Sequence, residues 1–388
     1  MRTISSRQVQ RFSDPDERGA LATLERVASQ PTVPYHEWRA LDAIAAELGR
    51  IGLTPRRDRY GQLSVQLARG DAKRALAFVA HTDHPGFEVV EANGTRGLAR
   101  FRGGIDPSYF RSPFRLLVHR DGESAVQRAE GSRYVHDPVV PDWSAGRCEI
   151  LAERRLAEGD WAVLDLPAFE RRGAELHLRS ADDLAGCALI ISTLAALRAE
   201  TRPFSVHAVF TRAEEPGLFG ARLIAEDGLL PRDAFVVSVE ASNSRYAPAG
   251  AGIVVRSGDY HNTFSNEAER YLRVAQERLA DRGIPTQRRL LPGGTCEASA
   301  FVRLGWAATG IALPNTGYHN AGSDGRLVAE MIRTEDLMSG IALSAEAAVA
   351  AGADEAESWW PDVGTVPEDL RARLARSASI HNGDVPVS

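Results

Sequence analysis

Histidine and acidic side chains follow several apolar segments of this 388-residue chain. They are His81 with Asp83, Glu214 with Glu215, Glu240 and His319, and Asp182 with Asp183 stands before a long apolar segment. Two imidazoles and several carboxylates form a hard, oxygen-rich set of ligands that zinc, cobalt or manganese accepts. If these side chains meet in one cleft, two divalent ions can share them through a bridging carboxylate.

The apolar segments before these residues are typical of buried strands that alternate with helices. The strand-like runs are 75–80, 204–210, 234–239 and 308–313, and the helical patterns cover 184–197 and 267–283. This alternation predicts an α/β fold with a mainly parallel, mixed sheet and helices on both faces. In such sheets ligands bind outside the carboxyl ends of the strands, so we expect the residues above to converge. Asp182 is also well placed to cap the helix that follows it.

The segment from about 92 to 172 has a different texture. Short β-like runs alternate there with glycine, proline and charged residues, and no long helical pattern appears. We therefore predict a small all-β domain, inserted into a catalytic domain made of residues 1–91 and 173–388. The polar residues from about 352 onward are expected to form a loosely packed tail.

Composition and charge disfavour several classes of function. The net charge of −6 argues against a broad nucleic-acid surface, and no apolar stretch is long enough to span a membrane. The polar segment 1–19 lacks the apolar core of a secretory signal, so a cytoplasmic location is expected. Three cysteines are too few and odd in number for a disulfide framework.

A series of short motifs resembles one known family of peptidases. In chain order they are His81-Thr82-Asp83, Asp182-Asp183 with Gly186-Cys187, Glu214-Glu215 with Gly217, Glu240 after a strand, Gly293-Gly294-Thr295, and Tyr318-His319. Together they resemble the glutamyl and tetrahedral aminopeptidases, which have a co-catalytic pair of metal ions. The resemblance extends from about residue 20 to 345 and includes the position of the β insertion.

The resemblance implies two divalent metal ions per chain, with zinc expected first and cobalt or manganese as alternatives. It implies five metal ligands, which are His81, Asp182, Glu215, Glu240 and His319. Asp182 would bridge the two ions. His81 and Glu240 would complete the site of one ion. Glu215 and His319 would complete the site of the other.

Two further carboxylates have catalytic roles in this resemblance. Glu214 would be the general base, and Asp83 would orient His81 through its other ring nitrogen. Two neighbouring metal ions activate a water molecule and polarise the scissile carbonyl, and Glu214 would pass the proton of that water to the leaving amine. Because neighbouring residues of an extended segment point in opposite directions, Glu214 can face the substrate while Glu215 faces a metal.

These features predict an exopeptidase, in the first place an aminopeptidase that acts on the N-terminal residues of short peptides. A carboxypeptidase or an N-acyl-amino-acid deacylase on the same scaffold is the alternative, because Glu240 stands where such aminopeptidases usually have Asp. A non-catalytic binding protein is a third hypothesis, which the complete ligand set disfavours. The resemblance further implies a homo-oligomer, a dimer or larger, in which the β insertion carries assembly contacts.

Two other enzyme classes match the sequence only in part. The segment from His81 to His84 half-matches the metallo-β-lactamase motif, but that motif needs a histidine where this chain has Val79. A glycosidase needs two carboxylates about 5–9.5 Å apart across the substrate, which the adjacent Glu214 and Glu215 do not provide. Two positions depart from the family pattern, since His84 replaces an acidic residue and Cys296 replaces an aspartate. We expect Cys296 to be a buried or cleft-lining thiol and not a nucleophile.

Overall fold

The computed structural model describes residues 15–110, 113–137, 146–355 and 365–378. The helices are α1 (Glu17–Ala28), α2 (Trp38–Arg50), α3 (Ala181–Leu197), α4 (Phe219–Asp227), α5 (Asn266–Ala280), α6 (Glu297–Arg303), α7 (Thr334–Ala353) and α8 (Glu368–Ala378). The strands are β1 (Arg56–Arg57), β2 (Leu63–Arg69), β3 (Leu76–His81), β4 (Gly86–Asn93), β5 (Arg96–Arg102), β6 (Phe114–His119), β7 (Gln127–His136), β8 (Gly146–Ala152), β9 (Trp161–Leu164), β10 (Phe169–Arg172), β11 (Glu175–Leu178), β12 (Phe204–Thr211), β13 (Phe235–Asn243), β14 (Ile253–Gly258), β15 (Thr286–Leu290), β16 (Ala308–Asn315) and β17 (Glu330–Arg333). Short 3-10 helices lie at Pro107–Phe110 and Tyr318–Asn320.

An eight-stranded mixed sheet forms the centre of the fold. Its strand order is β1-β2-β12-β3-β13-β16-β14-β15. The four middle strands, β12, β3, β13 and β16, run parallel to one another, and β14 is antiparallel to β16. On the other side β2 is antiparallel to β12, and β1 is antiparallel to β2. The predicted mixed sheet with a mainly parallel centre is therefore confirmed.

Helices cover both faces of this sheet, as predicted. Successive residues of a strand point to opposite faces, and β3 shows this directly. Phe78 and Ala80 belong to a large apolar cluster that includes residues of α1, α2, α3, α5 and α7. Ala77 and Val79 belong to a second cluster, with residues of α4 and α6. Helix α3 is buried along most of its length because it packs against the sheet as well as α1 and α7.

Six strands between Gly86 and Leu164 form a closed barrel, in the order β4-β5-β8-β7-β6-β9. Residues of β8 are alternately buried and exposed, which is the pattern of a strand with one face on a core. The predicted insertion at 92–172 overlaps this barrel, although β4 begins at Gly86 and β10 belongs to a separate small sheet with β11 and β17. The division of the chain into two domains stays a prediction.

The two C-terminal helices differ in their packing. Helix α7 is buried along most of its length, whereas α8 has no buried residue. Residues 356–364 and 379–388, which form much of the predicted polar tail, lie outside the described residues. None of the helices in the described ranges has the length and apolar character needed to cross a membrane.

Candidate metal centre

The parallel strands bring the predicted site residues to one edge of the sheet. His81 ends β3, Glu214 and Glu215 follow β12, Glu240 lies on β13, His319 follows β16, and Asp182 lies at the start of α3. The carboxyl ends of neighbouring parallel strands meet at the same edge, so residues far apart in sequence become neighbours. All six of these side chains line one cavity of about 290 Å³.

His81 is buried, and its two ring nitrogens face different partners. Nδ1 lies 3.1 Å from the backbone oxygen of Asp83, which can only accept a hydrogen bond, so Nδ1 donates. Nε2 faces three carboxylate oxygens. The distances are 3.4 Å to Asp182 Oδ1, 3.7 Å to Glu240 Oε2 and 4.0 Å to Glu214 Oε2. Fixing the proton on Nδ1 leaves Nε2 as the nitrogen that can bind a metal.

His319 repeats this arrangement on the other side of the cavity. Its Nδ1 donates to the carbonyl oxygen of Gly104 at 2.5 Å, and Gly104 belongs to the loop that follows barrel strand β5. Its Nε2 lies 3.3 Å from Asp182 Oδ2 and 3.4 Å from Glu215 Oε1. The ring of Tyr318 stacks on the imidazole, with 3.9 Å between ring centroids. Both histidines therefore present Nε2 to carboxylates while a backbone carbonyl holds Nδ1.

Asp182 lies between the two histidines and turns one carboxylate oxygen toward each of them. Its Oδ1 atom and the Oε1 atom of Glu215 are buried, and neither has a hydrogen-bond partner in the described residues. Buried carboxylate oxygens without partners are costly, so these two atoms fit a site that holds a cation. The position of Asp182 suits a carboxylate that is shared by two ions.

Two groups of potential ligand atoms lie in the site. Within each group the atoms are at most 4.8 Å apart, and the groups are His81 with Glu214 and Glu240, and Asp182 with Glu215 and His319. The donor set, two imidazoles and four carboxylates, fits two divalent ions. Glu214 lies in the first group, together with the predicted ligands His81 and Glu240. The distances therefore do not distinguish a base from a ligand, and the role of Glu214 as a base rests on its chemistry.

The helix α3 does not use Asp182 as its cap, contrary to the sequence-based expectation. The backbone of Asp182 and Asp183 is not helical, and the Asp183 side chain accepts the N–H of Gly186 at 3.1 Å. A Cβ atom at residue 186 would lie only 2.2 Å from Asp183 Oδ1, which explains the glycine in this motif. A capping carboxylate must face the helix N–H groups. Because Asp183 does this, Asp182 can face the histidines.

Asp83 has a contact that the sequence did not indicate. Its Oδ1 and Oδ2 atoms accept the backbone N–H groups of Glu214 and Glu215, both at 3.0 Å. The Oδ1 atom of Asp83 lies 3.6 Å from Nδ1 of His81. This nitrogen is closer to the backbone carbonyl oxygen of Asp83, at 3.1 Å. The side chain therefore fixes the Glu214-Glu215 backbone directly, and its action on the His81 ring through the carboxylate stays a prediction.

Two buried glutamates beside the site had no signal in the sequence. Glu330 accepts the backbone N–H groups of Asp182 at 2.9 Å and of His319 at 2.7 Å. Burial, followed by the nearby charge of Asp182, raises the pKa of Glu330 to about 8. Glu297 accepts the Thr211 hydroxyl at 2.5 Å, and burial raises its pKa to about 8. Glu330 stands in no motif. Glu297 lies two residues after the Gly293-Gly294-Thr295 motif, which does not indicate its contact with Thr211, because the two segments meet only in the fold.

The positions that depart from the family pattern are both buried. His84 donates from Nδ1 to the backbone oxygen of Asp182 at 2.5 Å, and burial lowers its pKa to about 4. Its imidazole thus supports the backbone of Asp182 and makes no contact of its own with the cavity. Cys296 lines the cavity, as expected, and burial raises the pKa of its thiol. A thiol with a raised pKa is a poor nucleophile at neutral pH.

Burial and neighbouring charges shift the pKa values of Glu214, Glu215 and His81. Burial is the main cause of the raised pKa values of Glu214 and Glu215, and neighbouring carboxylates add to it. Although burial opposes it, the charge of Glu214 and a contact with Asp182 raise the pKa of His81 well above its usual value. Without metal the site therefore holds protons that a divalent cation would displace.

A family model and solved structures relate the chain to known proteins. The model of the M42 glutamyl aminopeptidases matches residues 61–343. The structures include an aminopeptidase from the archaeon Desulfurococcus kamchatkensis, with 18% identity, a TM-score of 0.71, and coverage of 90% of this chain and 99% of that chain. Another is the TET1 peptidase of Pyrococcus horikoshii, described as assembling into a tetrahedron or a large octahedral shell. It has 21% identity, a TM-score of 0.68, and coverage of 85% of this chain and 99% of that chain.

A third structure is a TET aminopeptidase from a marine sediment archaeon of the Thaumarchaeota, with 16% identity and a TM-score of 0.70 over 88% of this chain and 99% of that chain. At these identities the structures speak for the fold, which agrees with the α/β sheet and barrel described above. The family model covers most of the chain and confirms the predicted family. This chain is a hydrolytic metallo-aminopeptidase that belongs to the M42 glutamyl aminopeptidase family.

Proposed function

We propose that the chain holds two divalent metal ions and removes N-terminal residues from short peptides. The observation that carries this proposal is the position of Asp182, whose two carboxylate oxygens face the Nε2 atoms of His81 and His319 at 3.4 and 3.3 Å. His81 and Glu240 would hold one ion. Glu215 and His319 would hold the other, with Asp182 shared between them. Zinc is our first choice of metal, followed by cobalt or manganese.

The bound ions would supply Lewis acidity, which lowers the pKa of a water molecule and polarises the scissile carbonyl. The chain supplies the proton transfers. Glu214 faces the cavity, where it would accept a proton from the attacking water and release it to the leaving amine. Asp83 keeps this base in place, because it binds the backbone N–H of Glu214 at 3.0 Å.

Glu240 bears on the choice between an aminopeptidase and the alternative, a carboxypeptidase or N-acyl-amino-acid deacylase. Its Oε1 accepts the Ser238 hydroxyl at 3.0 Å, and its Oε2 lies 3.7 Å from Nε2 of His81. The Glu240 side chain therefore lies close to His81, the histidine that a shorter aspartate at this position would also face. The match to the M42 family favours the aminopeptidase. The substrate in this proposal is an unblocked peptide.

We also propose that the chain forms a homo-oligomer through its barrel. Solved proteins of this fold include a dodecamer and a peptidase that forms tetrahedral or octahedral shells. The three cysteines are free thiols, which supports the cytoplasm as the location.

Metal analysis and a paired substrate assay test the enzymatic proposal. Protein reconstituted with zinc, cobalt or manganese should bind two ions per chain and cleave unblocked peptides faster than their N-acylated forms. An Asp182→Asn variant should lose metal, whereas Asp42→Asn, on the exposed face of α2, should not. Fewer than one ion per chain after reconstitution, or cleavage of N-acylated substrates alone, would contradict the proposal.

A further inference from the structure

Tyr318 lies directly beside the candidate metal centre. Its ring stacks on the imidazole of His319, with 3.9 Å between the ring centroids, and it lines the same cavity as Glu214. Burial raises the pKa of its phenol, and the charges of Asp182 and Glu215 add most among the neighbouring groups. The hydroxyl is therefore within electrostatic reach of the carboxylate that we place between the two ions.

The hydroxyl of Tyr318 has no hydrogen-bond partner among the residues that the structure describes, and protein atoms do not enclose it. It is therefore open to the cavity that the ring lines. An ordinary phenol has a pKa of about 10, so at neutral pH this group is uncharged and carries a proton for a hydrogen bond. The cavity wall thus includes a donor that no protein group uses.

The backbone on both sides of Tyr318 is fixed by hydrogen bonds. Before it in the chain, Thr316 and Met331 exchange two backbone hydrogen bonds, with N–O distances of 2.8 and 2.7 Å. After it, the backbone N–H of His319 donates to the buried carboxylate of Glu330 at 2.7 Å. The segment therefore holds the phenol at the cavity before any substrate binds, and a donor that is held in advance costs no reorganisation during the reaction.

The groups that we assign to the metal ions and to the base are acceptors. The four carboxylates can only accept hydrogen bonds when they are ionised. The two histidines donate from Nδ1 to backbone carbonyls and turn Nε2 toward the cavity. When water adds to an amide, the carbonyl oxygen becomes negative, and a hydrogen-bond donor already in place stabilises it. Tyr318 supplies such a donor on the side of His319.

We propose that the hydroxyl of Tyr318 donates a hydrogen bond to the scissile carbonyl oxygen as this oxygen becomes negative, which makes Tyr318 a catalytic residue. This inference rests on the proposed function. The water oxygen bonds to the carbonyl carbon, and the π electron pair of the carbonyl moves to its oxygen, while the phenol keeps its own proton. When the C–N bond breaks, the pair returns, and Glu214 gives the leaving amine the proton that it took from the water.

Tyr318→Phe removes the hydroxyl and keeps a ring on His319. We expect kcat for leucyl-alanine amide to fall about 10²-fold, the usual effect of losing one donor to the negative oxygen. KM should stay within about threefold, because the neutral carbonyl of the bound substrate gains less from this donor. The metal content of the same preparation should equal that of wild type. An unchanged kcat, or a fall in kcat matched by an equal loss of metal, would overturn the inference.

Tyr134→Phe is the matched control. The ring of Tyr134 stacks on Phe110 in the barrel, with 4.6 Å between the ring centroids, and its hydroxyl also has no hydrogen-bond partner in the described part of the chain. Tyr134 does not line the cavity of the metal centre. This variant loses the same atom from a stacked ring and should keep the wild-type kcat and KM. A comparable fall in its kcat would overturn the assignment, since the loss would not depend on the site.

Calorimetry provides a readout that does not depend on turnover. The zinc-loaded proteins are titrated with the phosphonic acid analogue of L-leucine, which carries negative tetrahedral oxygens, and with 3-methylbutylamine, which has the same amine and side chain without them. Tyr318→Phe should bind the phosphonate about tenfold or more weakly than wild type and Tyr134→Phe, and the amine equally well. If no peptide is cleaved, the proposed function fails, and these titrations still decide the role of Tyr318. Equal affinities of all three proteins for the phosphonate would overturn it.

Discussion

Oε2 of Glu330 accepts the backbone N–H of Asp182 at 2.9 Å, although 148 positions separate the two residues. The other oxygen of Glu330 accepts the backbone N–H of His319 at 2.7 Å. One buried carboxylate thus fixes the main chain of Asp182, the proposed bridging ligand, and of His319.

This relationship leads to a first prediction. In Glu330→Gln only one side-chain oxygen remains, so one of the two backbone N–H groups loses its acceptor. We expect the metal affinity to fall about 10- to 100-fold, the usual effect of losing a group that orients a ligand. Metal retained after dialysis against a chelator series measures this. Glu335→Gln, exposed at the start of α7, is the control and should behave as wild type.

The adjacent glutamates should respond differently to the same substitution. Glu214→Gln removes the proposed base, so kcat should fall about 10²- to 10⁴-fold with both metals retained. Glu215→Gln should instead lose metal, because Glu215 Oε1 lies 3.4 Å from His319 Nε2 and has no hydrogen-bond partner. Elemental analysis measures the metal content of each variant, and kinetics on the same preparations measure its activity. Full metal content and similar activity in both variants would show that the roles are wrongly divided.

Glu240→Asp tests the effect of one methylene at a proposed metal ligand. The shorter side chain gives up the contact with the Ser238 hydroxyl and moves the carboxylate relative to His81. If Glu240 weakens the fit of a free α-amine, the variant should cleave aminoacyl p-nitroanilides up to about tenfold faster while both metals stay bound. A loss of metal together with activity would instead mean that the glutamate length is required.

The buried His119 of the barrel should make the folded protein less stable at acidic pH. Its ring stacks on Trp161, neither ring nitrogen has a hydrogen-bond partner among the described residues, and burial lowers its pKa to about 3. The unfolded chain binds a proton below a pH of about 6.5 and the folded chain does not, so stability is lost as the pH falls from about 6.5 toward 3. At pH 5 this loss should be about 2 kcal/mol.

The test compares denaturant unfolding at pH 7 and pH 5. His119→Phe keeps a ring on Trp161 and has nothing to protonate, so its free energy of unfolding should change less with pH than that of wild type. His136→Phe, at an exposed barrel position, should show the wild-type pH dependence. An identical pH dependence in wild type and His119→Phe would rule out this source of acid sensitivity.

Two glycine-to-alanine substitutions should change the stability of the protein in opposite directions. A Cβ atom at residue 186 would lie 2.2 Å from Asp183 Oδ1, so Gly186→Ala should break the cap of α3 and destabilise the protein by about 1–3 kcal/mol. Gly49 lies in the exposed part of α2, where an added Cβ atom would have no neighbour within 4 Å, so Gly49→Ala should stabilise the protein by about 0.5–1 kcal/mol. Thermal unfolding of both variants provides the comparison.

The sequence indicates those parts of the site that follow local patterns. His81, Glu240 and the Glu214-Glu215 pair could be placed at one sheet edge because each follows or ends an apolar run. The prediction of Asp182 as the helix cap was wrong, since two neighbours of the same type give no basis for choosing between them. Their difference arises from the backbone, which turns Asp183 toward Gly186.

The remaining contacts depend on pairings between distant segments. Glu330 reaches the site because β17 pairs with β11, where Glu330 lies opposite Leu178. A single glutamate in a short apolar segment has no pattern that indicates this outcome.

The hydrogen bond from His319 to Gly104 connects the barrel to the candidate metal site at the end of the central sheet. A backbone carbonyl needs no particular side chain, so the barrel surface can vary in sequence while this contact persists. The position of that carbonyl, however, depends on the whole barrel being docked. A movement of the barrel that separates Gly104 from His319 would leave the Nδ1 proton without this acceptor. The barrel therefore contributes to the active site through the position of a backbone carbonyl, and not through the type of a side chain.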